Sequence, residues 1–279
     1  MSGIEHGESK DRIKVLHVDD NPDHLIITKH YLEKFEPTLQ VESVSSPQEA
    51  IKIVNAFDCL VSDFQMPGMN GIELAKKIRK LKKIPIIIYT GKGSEEVAAS
   101  AFEAGVDDYI RKEFECSHYQ VLGKRIRMAV EKHKTEIELR ESEERLKSLI
   151  NNAPDTIFIY NLNGIFLDGN RRSEELTGYK TEELIGKNML KIELIPKEYH
   201  PKILEGLDKN FRGEGYGPQN FELIRKDGKR VNVEVSTIPV QRGGKIEIIG
   251  IARDITKRIQ MEEKIHRYIK DLSIVSLPE

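Results

Sequence analysis

Short apolar runs alternate with amphipathic segments through the first half of the chain. Five of these runs predict β-strands: IKVLHV (13–18), LQVESV (39–44), DCLVS (58–62), PIIIY (85–89) and DDYI (107–110). Helix-like segments begin between them, near Pro22, Pro47, Gly71 and Ser94. Strands that alternate with helices are typical of a parallel sheet covered on both faces. The pattern predicts a doubly wound α/β domain with its chemistry beyond the carboxyl ends of the strands.

The segment from about 118 to 150 has a different character. It contains no proline, one glycine and many charges, and its apolar residues recur on one helical face. It predicts one long helix that is the last helix of the first domain and continues as a linker. A weak coiled-coil seam along this helix favours a dimer, and a single solvated helix fits the few repeats nearly as well.

A second module follows from about residue 151. Its predicted strands are TIFIY, GIFLDG, NFELIRK, RVNVEVSTI and KIEIIGIARDI. Asn163-Gly164 and Lys226-Asp227-Gly228 have the turn chemistry of hairpins. Helical pieces interrupt the sheet after its second strand, which predicts an antiparallel α+β domain with helices on one face. A second amphipathic helix ends the chain.

The overall composition is that of a soluble globular protein of two domains. The 279 residues include 44 Lys+Arg and 46 Asp+Glu, for a formal charge of −2, so we expect no nucleic-acid or membrane partner. No apolar run approaches the ~20 residues of a membrane span. Cys59 and Cys116 lack the spacing of a metal site, which fits the cytoplasm. We expect four segments: 11–133, 118–150 as a linker helix continuous with it, 143–256, and a C-terminal amphipathic helix at 257–279.

Carboxylates follow two strands that are neighbours in such a sheet. Asp19 and Asp20 follow the first strand, and Asp63 ends the third. Because parallel strands end at the same rim, the three carboxylates should converge there. An oxygen-only cluster of this kind favours Mg²⁺. Taken singly, Asp20 is equally well a helix cap and Asp63 a turn residue.

Two further polar residues follow the remaining strands. Thr90 closes the fourth strand and Lys112 lies just beyond the fifth. A metal, a lysine and a hydroxyl would each bind one oxygen of a transferred phosphoryl group, which leaves a carboxylate as nucleophile. The combination of strand ends therefore favours an aspartyl-phosphate site.

These motifs resemble the receiver domain of two-component response regulators over residues 11–133. The matching segments are VDD at 18–20, SDFQMPGMNG at 62–71, Thr90-Gly91 and DDYIRK at 107–112. The resemblance implies the strand order 2-1-3-4-5 and a phosphoacceptor that catalyses its own phosphotransfer, with no kinase domain. Asp63 would be the acceptor, with Lys112 and Thr90 assisting. Asp19, Asp20, Asp63 and the backbone carbonyl of Gln65 would bind Mg²⁺.

The resemblance also implies a switch and a partner. Thr90 and Tyr109 match the switch pair, in which the hydroxyl moves toward the phosphoryl group as the ring turns inward. The phosphoryl donor would be a histidine kinase or a phosphotransfer protein. One residue departs from the family pattern, because Glu113 follows Lys112 where proline is usual. A cis bond before a residue other than proline costs about 2.5–4 kcal/mol, so we expect a trans bond and a different loop.

Residues 143–256 resemble a PAS sensor domain. The matching segments are SEERLKSLINNAPDTIFIYNLNGIFLDGN, LTGYKTEELIGKNML, FELIRKDGKRVNVEVS and GIARDIT. The ligand of this domain is unknown, and our default expectation is that the domain binds none. The module has no Cys or Trp, so a cysteinyl-flavin adduct or a thioester-linked chromophore would have no attachment atom. Its one histidine, His200, precedes a proline near a helix start, which disfavours haem ligation. Five aromatic residues are candidates for core or pocket: Phe158, Tyr160, Phe166, Phe211 and Phe221.

The leading hypothesis is a phosphorelay protein. Phosphorylation of Asp63 would be relayed through the 118–150 helix to the PAS module, in a homodimer formed by the linker and C-terminal helices. We expect no output domain in this chain. Two alternatives remain open: a constitutive dimerisation scaffold with a vestigial receiver, and an N-terminal sensory fragment of a longer histidine kinase.

Overall fold

The computed structural model describes residues 12–91, 95–113 and 115–275. The chain divides into two compact units, Met1–Glu141 and Ser142–Glu279, each with its own five-stranded sheet. Within the described ranges, none of the helices is both long and apolar enough to cross a membrane. The helix start near Ser94, residue 11 at the start of the first predicted segment, and residues 276–279 of the last one lie outside these ranges.

The first unit contains a parallel sheet of five strands. They are β1 (Ile13–Val18), β2 (Leu39–Val44), β3 (Cys59–Ser62), β4 (Ile86–Thr90) and β5 (Asp108–Arg111). Their spatial order is β2-β1-β3-β4-β5, and every neighbouring pair is parallel. The predicted doubly wound fold and its strand order are confirmed.

A helix follows each strand of this sheet. They are α1 (Pro22–Phe35), α2 (Pro47–Ile53), α3 (Gly71–Leu81), α4 (Glu95–Glu103) and α5 (Ser117–Asn151), with a 3-10 turn at Val54–Ala56. Local sequence fixes several of their starts. The Asn21 side chain accepts the backbone N–H groups of Asp23 and His24, and Asn70 forms a capping box with Glu73. The Asn21 cap begins α1 two residues after Asp19, and the Asn70 cap begins α3 beyond the loop that follows Asp63.

Successive residues of the central strands enter different cores. Leu16, Ile86 and Ile88 belong to one apolar cluster, whereas Val15 and Ile87 belong to the other. Both faces of the sheet are therefore buried, as the continuous apolar runs predict. This packing fixes the strands, and hence the rim at which they end.

Helix α5 joins the two units. His118, Leu122, Gly123 and Ile126 are its buried residues, all in the first three turns. The remainder presents mostly exposed side chains. Helix α5 thus combines a packed first part with a solvated continuation.

The second unit contains an antiparallel sheet. Its strands are β6 (Thr156–Asn161), β7 (Phe166–Gly169), β8 (Tyr216–Ile224), β9 (Arg230–Arg242) and β10 (Lys245–Asp254), in the spatial order β7-β6-β10-β9-β8. The helical segments are α6 (Arg171–Thr177), α7 (Thr181–Leu184), a 3-10 turn (Lys197–Tyr199), α8 (His200–Phe211) and α9 (Thr256–Val275). The predicted β6–β7 and β8–β9 hairpins are both confirmed.

Candidate functional site

The polar residues of the first unit lie where β1, β3 and β4 end. Asp19 follows β1, Asp63 follows β3 and Thr90 ends β4, and all three are buried. The backbone N–H of Asp63 donates to the Val18 carbonyl at 2.8 Å, and that of Lys112 donates to the Thr90 carbonyl at 2.8 Å. These bonds extend the strand pairing by one residue, so the side chains start from fixed positions at one rim.

The ammonium group of Lys112 bridges the two buried carboxylates. Its Nζ lies 2.7 Å from Asp63 Oδ1 and 2.5 Å from Asp19 Oδ2. The Lys112 side chain is 14% exposed, so little water competes for these bonds. The lysine therefore offsets one of the two negative charges that these carboxylates bring to the rim, and holds both of them in one arrangement.

Each carboxylate is also oriented by a backbone N–H group. Asp63 Oδ2 accepts the N–H of Gln65 at 2.6 Å, and Asp19 Oδ1 accepts the N–H of Asn21 at 2.9 Å. One oxygen of each group is thus used for orientation and the other faces Lys112. This leaves Asp63 Oδ1 as the oxygen held beside a cation.

A histidine that the sequence analysis did not single out completes this group. His24 Nδ1 lies 3.4 Å from Lys112 Nζ and 3.5 Å from Asp19 Oδ2. His24 is four residues after Asp20, one turn along α1, so the capped helix start brings its ring back to the rim. The available sequence clue was that His24 is the third residue of a predicted helix and lies four residues after Asp20.

Asp20 and Gln65 lie at the exposed edge of the same rim. Together with Asp19, they offer two carboxylates and a backbone carbonyl, which is an oxygen-only donor set of the kind that Mg²⁺ prefers. Their chemistry fits the metal, but they are not drawn together: within the described ranges, no three Asp, Glu, His or Cys side chains converge on a metal position. Of the two Asp19 oxygens, Oδ2 accepts a bond from Lys112 and Oδ1 accepts one from the backbone N–H of Asn21.

A second histidine, His17, lies beneath the rim and is fully buried. Burial lowers the pKa of His17 to about 4, because a protonated imidazole would lose its hydration there. His17 is therefore neutral near pH 7. It adds no charge to the balance between Lys112 and the carboxylates.

The predicted switch residues occupy different surroundings. Thr90 is 1% exposed at the end of β4. Tyr109, on β5, packs against the apolar cluster that contains Met66 and Ile88. Its hydroxyl is buried and has no hydrogen-bond partner among the described residues, and burial raises the pKa of Tyr109. The Tyr109 ring is therefore packed inward in this structure.

The loop after β5 accommodates Glu113 without a cis bond. The Lys112–Glu113 peptide is trans, as expected. Glu113 Oε2 lies 3.9 Å from Nδ1 of His118, a buried residue in the first turn of α5. The departure from the family pattern thus replaces a proline with a carboxylate that faces a buried imidazole, and Lys112 still reaches Asp63.

The second unit encloses an apolar cavity of about 120 Å³ between its sheet and helices α6 to α8. Four of the five candidate aromatic residues line it: Phe158, Tyr160, Phe166 and Phe221. Phe211, at the end of α8, is 68% exposed and belongs to neither core nor cavity, so its assignment was wrong. His200 is not among the lining residues.

Comparisons with protein families match both units. The model of the response regulator receiver domain matches residues 15–124, and that of a PAS domain matches residues 154–257. The transcriptional regulatory protein SrrA of Staphylococcus aureus is 38% identical over 103 residues. These make up 36% of this chain and 42% of SrrA, so the chain spans less than half the length of the curated relatives it matches.

Solved structures resemble each unit separately. A CheY-like receiver domain protein from Methanospirillum hungatei is 28% identical, with a TM-score of 0.41, and the match covers 45% of this chain and 98% of that one. The PAS domain of an HTR-like protein from Haloarcula marismortui is 24% identical, with a TM-score of 0.39, and the match covers 44% and 99%. Residues 15–124 of this chain are a response regulator receiver domain and residues 154–257 are a PAS domain, a combination that belongs to two-component signalling.

Proposed function

We propose that this chain is a phosphorelay protein whose phosphoacceptor is Asp63. The chain would act in the cytoplasm, where a histidine kinase or phosphotransfer protein would supply the phosphoryl group, with Mg²⁺ bound at the rim. The observation that carries this proposal is the Lys112 ammonium, which contacts Asp63 Oδ1 and Asp19 Oδ2 at once. Such an arrangement concentrates a nucleophilic carboxylate, a cation and a metal-binding carboxylate in one buried place.

The hydrogen bonds of Asp63 indicate which oxygen reacts. The Gln65 N–H holds Oδ2, so Oδ1 attacks the phosphorus atom as the bond from phosphorus to the donor breaks. The donor leaves with the electron pair of that bond. Lys112 then bonds to an oxygen of the transferred group in place of Asp63 Oδ1, and Thr90 is the nearby hydroxyl proposed for another. The chain would catalyse its own phosphorylation in this way.

Asp19, Asp20 and the carbonyl of Gln65 would hold Mg²⁺, with Asp63 itself. The metal supplies positive charge that offsets the charge developing on the phosphoryl oxygens. Lys112, which contacts Asp19 and Asp63, would bind an oxygen of the phosphoryl group beside the metal. His24 lies next to both Lys112 and Asp19.

The phosphoryl group adds about −1.5 to −2 charges to the rim. We propose that Thr90 and Tyr109 respond, and that the change passes through α5 to the PAS module and alters pairing between two copies.

Exposed apolar side chains on α9 support such pairing. Met261, Ile265 and Tyr268 are 68%, 56% and 70% exposed and recur at intervals of four and three residues, the spacing of a coiled-coil seam.

Intact mass spectrometry tests the acceptor. We expect the purified chain, with Mg²⁺ and acetyl phosphate, to gain one phosphoryl group, and to gain none when the metal is chelated. The Asp63→Asn variant should gain none in either case. Asp58→Asn, which alters an exposed carboxylate four residues before β3 ends, is the matched control and should be labelled like the wild type.

Two outcomes would count against the proposal. Undiminished labelling of Asp63→Asn would place the acceptor elsewhere. A wild-type chain that accepts no phosphoryl group would favour the scaffold with a vestigial receiver. Lys112 contacts Asp63 even though Glu113 follows it in place of the usual proline. This contact supports a working site over the scaffold alternative.

A further inference from the structure

The cavity of the PAS module has a chemical character that restricts what it binds. Twenty residues line its volume of about 120 Å³, and none of them is charged or carries an imidazole or amide side chain. Fourteen are apolar or glycine. The other six carry hydroxyl groups: Thr156, Tyr160, Ser173, Thr177, Tyr216 and Thr237. The polarity of the cavity therefore depends on where these six hydroxyl groups donate.

The hydroxyl groups next to α6 donate to backbone carbonyls. Ser173 donates to the Asn170 carbonyl at 2.7 Å, and Thr177 to the Ser173 carbonyl at 2.7 Å. Thr156 donates to the Arg172 carbonyl at 3.3 Å. Each of these hydroxyl hydrogens is used within the protein, so none is left to bind an acceptor in the cavity.

The remaining hydroxyl groups donate to side chains behind the cavity wall. Thr237 and Tyr160 donate to Asn210 Oδ1 at 2.9 and 3.5 Å. Asn210 is fully buried, and its amide nitrogen in turn donates to the Glu214 carbonyl at 2.9 Å. Tyr216 donates to Glu205 Oε2 at 3.4 Å. Burial raises the pKa of Tyr160 to about 12, which keeps this group a neutral hydroxyl.

A ligand with a hydrogen-bond acceptor would lose its bonds to water on entry and find no hydroxyl donor in return, and a charged ligand would find no charged partner among the lining residues. This loss is costly, whereas an apolar molecule incurs none of it. An apolar cavity of about 150 Å³ in another protein stays dry and binds benzene, which sets the scale for one of this size. We propose that the PAS cavity binds an uncharged, apolar molecule of about six non-hydrogen atoms. This inference goes beyond the proposed phosphorelay and does not depend on it.

Benzene and pyridine make a matched pair of probes, because they share size and shape and differ by one acceptor nitrogen. We expect calorimetric titration of the full chain to give a dissociation constant at least tenfold lower for benzene than for pyridine at neutral pH. Methyl NMR of the methionines locates the site. Benzene should shift the signal of Met189, which lines the cavity, and leave that of Met69, in the receiver core, in place.

Two adjacent residues of α8 provide a cavity-filling variant and its control. Ile203 lines the cavity, whereas Leu204 does not and is 54% exposed. Ile203→Phe should weaken benzene binding at least tenfold, and Leu204→Phe should leave it unchanged. If Ile203→Phe fails to fold, Val235→Ile replaces it as the test. This variant fills the cavity from β9 by one methylene and should weaken benzene binding at least threefold.

Three results would overturn the inference: no benzene binding, pyridine binding as tight as benzene, or benzene binding unaffected by a folded cavity-filling variant. The same titration in Asp63→Asn separates this inference from the relay. Benzene binding should persist there, since the cavity lies within the PAS module. A wild-type chain that accepts no phosphoryl group but binds benzene would contradict the relay and leave this inference standing.

Discussion

The imidazole ring of His118 stacks on the ring of Tyr89, with centroids 5.4 Å apart and planes 13° from parallel. Lys112 Nζ lies 5.4 Å from the centroid of the same Tyr89 ring. Glu113 faces His118 from the loop. The residue that replaces the usual proline is therefore connected to the lysine of the phosphoacceptor site through a buried aromatic pair.

This stack predicts a pH dependence of receiver stability. Burial lowers the pKa of His118, and Glu113 partly opposes that effect. Since the unfolded chain then binds a proton more readily than the folded one, the free energy of unfolding should fall as pH drops below the ordinary histidine value of 6.5. Urea denaturation at several pH values, with wild type and His118→Phe compared, should give a flatter profile for the variant.

Glu113→Gln provides the converse test of the same contact. Removing this carboxylate removes the attraction that favours the protonated imidazole, so the pKa of His118 falls further. The acid loss of stability should then become steeper than in the wild type. Equal slopes for wild type, His118→Phe and Glu113→Gln would contradict the account.

Replacing Lys112 should destabilise the receiver in a manner that Mg²⁺ partly reverses. Lys112→Met removes the ammonium that contacts Asp19 and Asp63, and we expect a loss of about 3 kcal/mol in the free energy of unfolding. Added Mg²⁺ should restore part of it, because a cation then binds the folded state alone. Lys124→Met, at an exposed site on α5, should change stability by less than about 0.5 kcal/mol. A Lys112→Met chain as stable as wild type without Mg²⁺ would refute this.

Gly71 leaves no room for a side chain beside the acceptor. A Cβ atom there would overlap the backbone carbonyl oxygen of Asp63. Gly71→Ala should therefore displace the loop between Asp63 and α3, cost about 1–3 kcal/mol and slow labelling by acetyl phosphate. Gly91→Ala is the control, since among the described residues the nearest atom to its Cβ would be Lys112 Cβ at 3.9 Å. Thermal unfolding and labelling rates check both variants, and a Gly71→Ala protein with wild-type values would disprove the crowding.

Pairing through α9 depends on its exposed apolar residues. Ile265→Gln should weaken self-association at least tenfold, because it replaces an apolar side chain at the proposed seam with a polar one. Folding should be unaffected, since Ile265 is 56% exposed within one chain. Sedimentation equilibrium compares this variant with Lys264→Gln, an exposed neighbour. The same dissociation constant for both would exclude α9 from the seam.

Much of the receiver follows from its sequence because its strands are short, largely apolar runs, and polar residues end or follow those that carry the site. That pattern fixes both the buried sheet and the rim to which Asp19, Asp63 and Lys112 belong. His24 was missed because its position depends on the phase of α1, which the Asn21 cap determines. The contact between Glu113 and His118 depends on the loop before α5, whose course no local pattern dictates.

The PAS module shows where residue types cease to be informative. Phe158 lies in the apolar run TIFIY and lines the cavity, whereas Phe211 lies among polar residues in DKNFRGE and is exposed at a helix end, so an aromatic residue type by itself did not identify a cavity residue. A cavity is the volume that packing leaves unfilled, so it depends on the mutual fit of sheet and helices. The directions of its hydroxyl groups likewise depend on backbone carbonyls that only the folded chain brings near.

Light scattering of the full chain with Mg²⁺ and acetyl phosphate tests the central claim, that phosphorylation of Asp63 controls assembly. We predict a change in mass that requires Mg²⁺ and is absent in Asp63→Asn. The same change in Asp63→Asn, or an unchanged mass when intact mass spectrometry shows the wild type to be phosphorylated, would contradict the account.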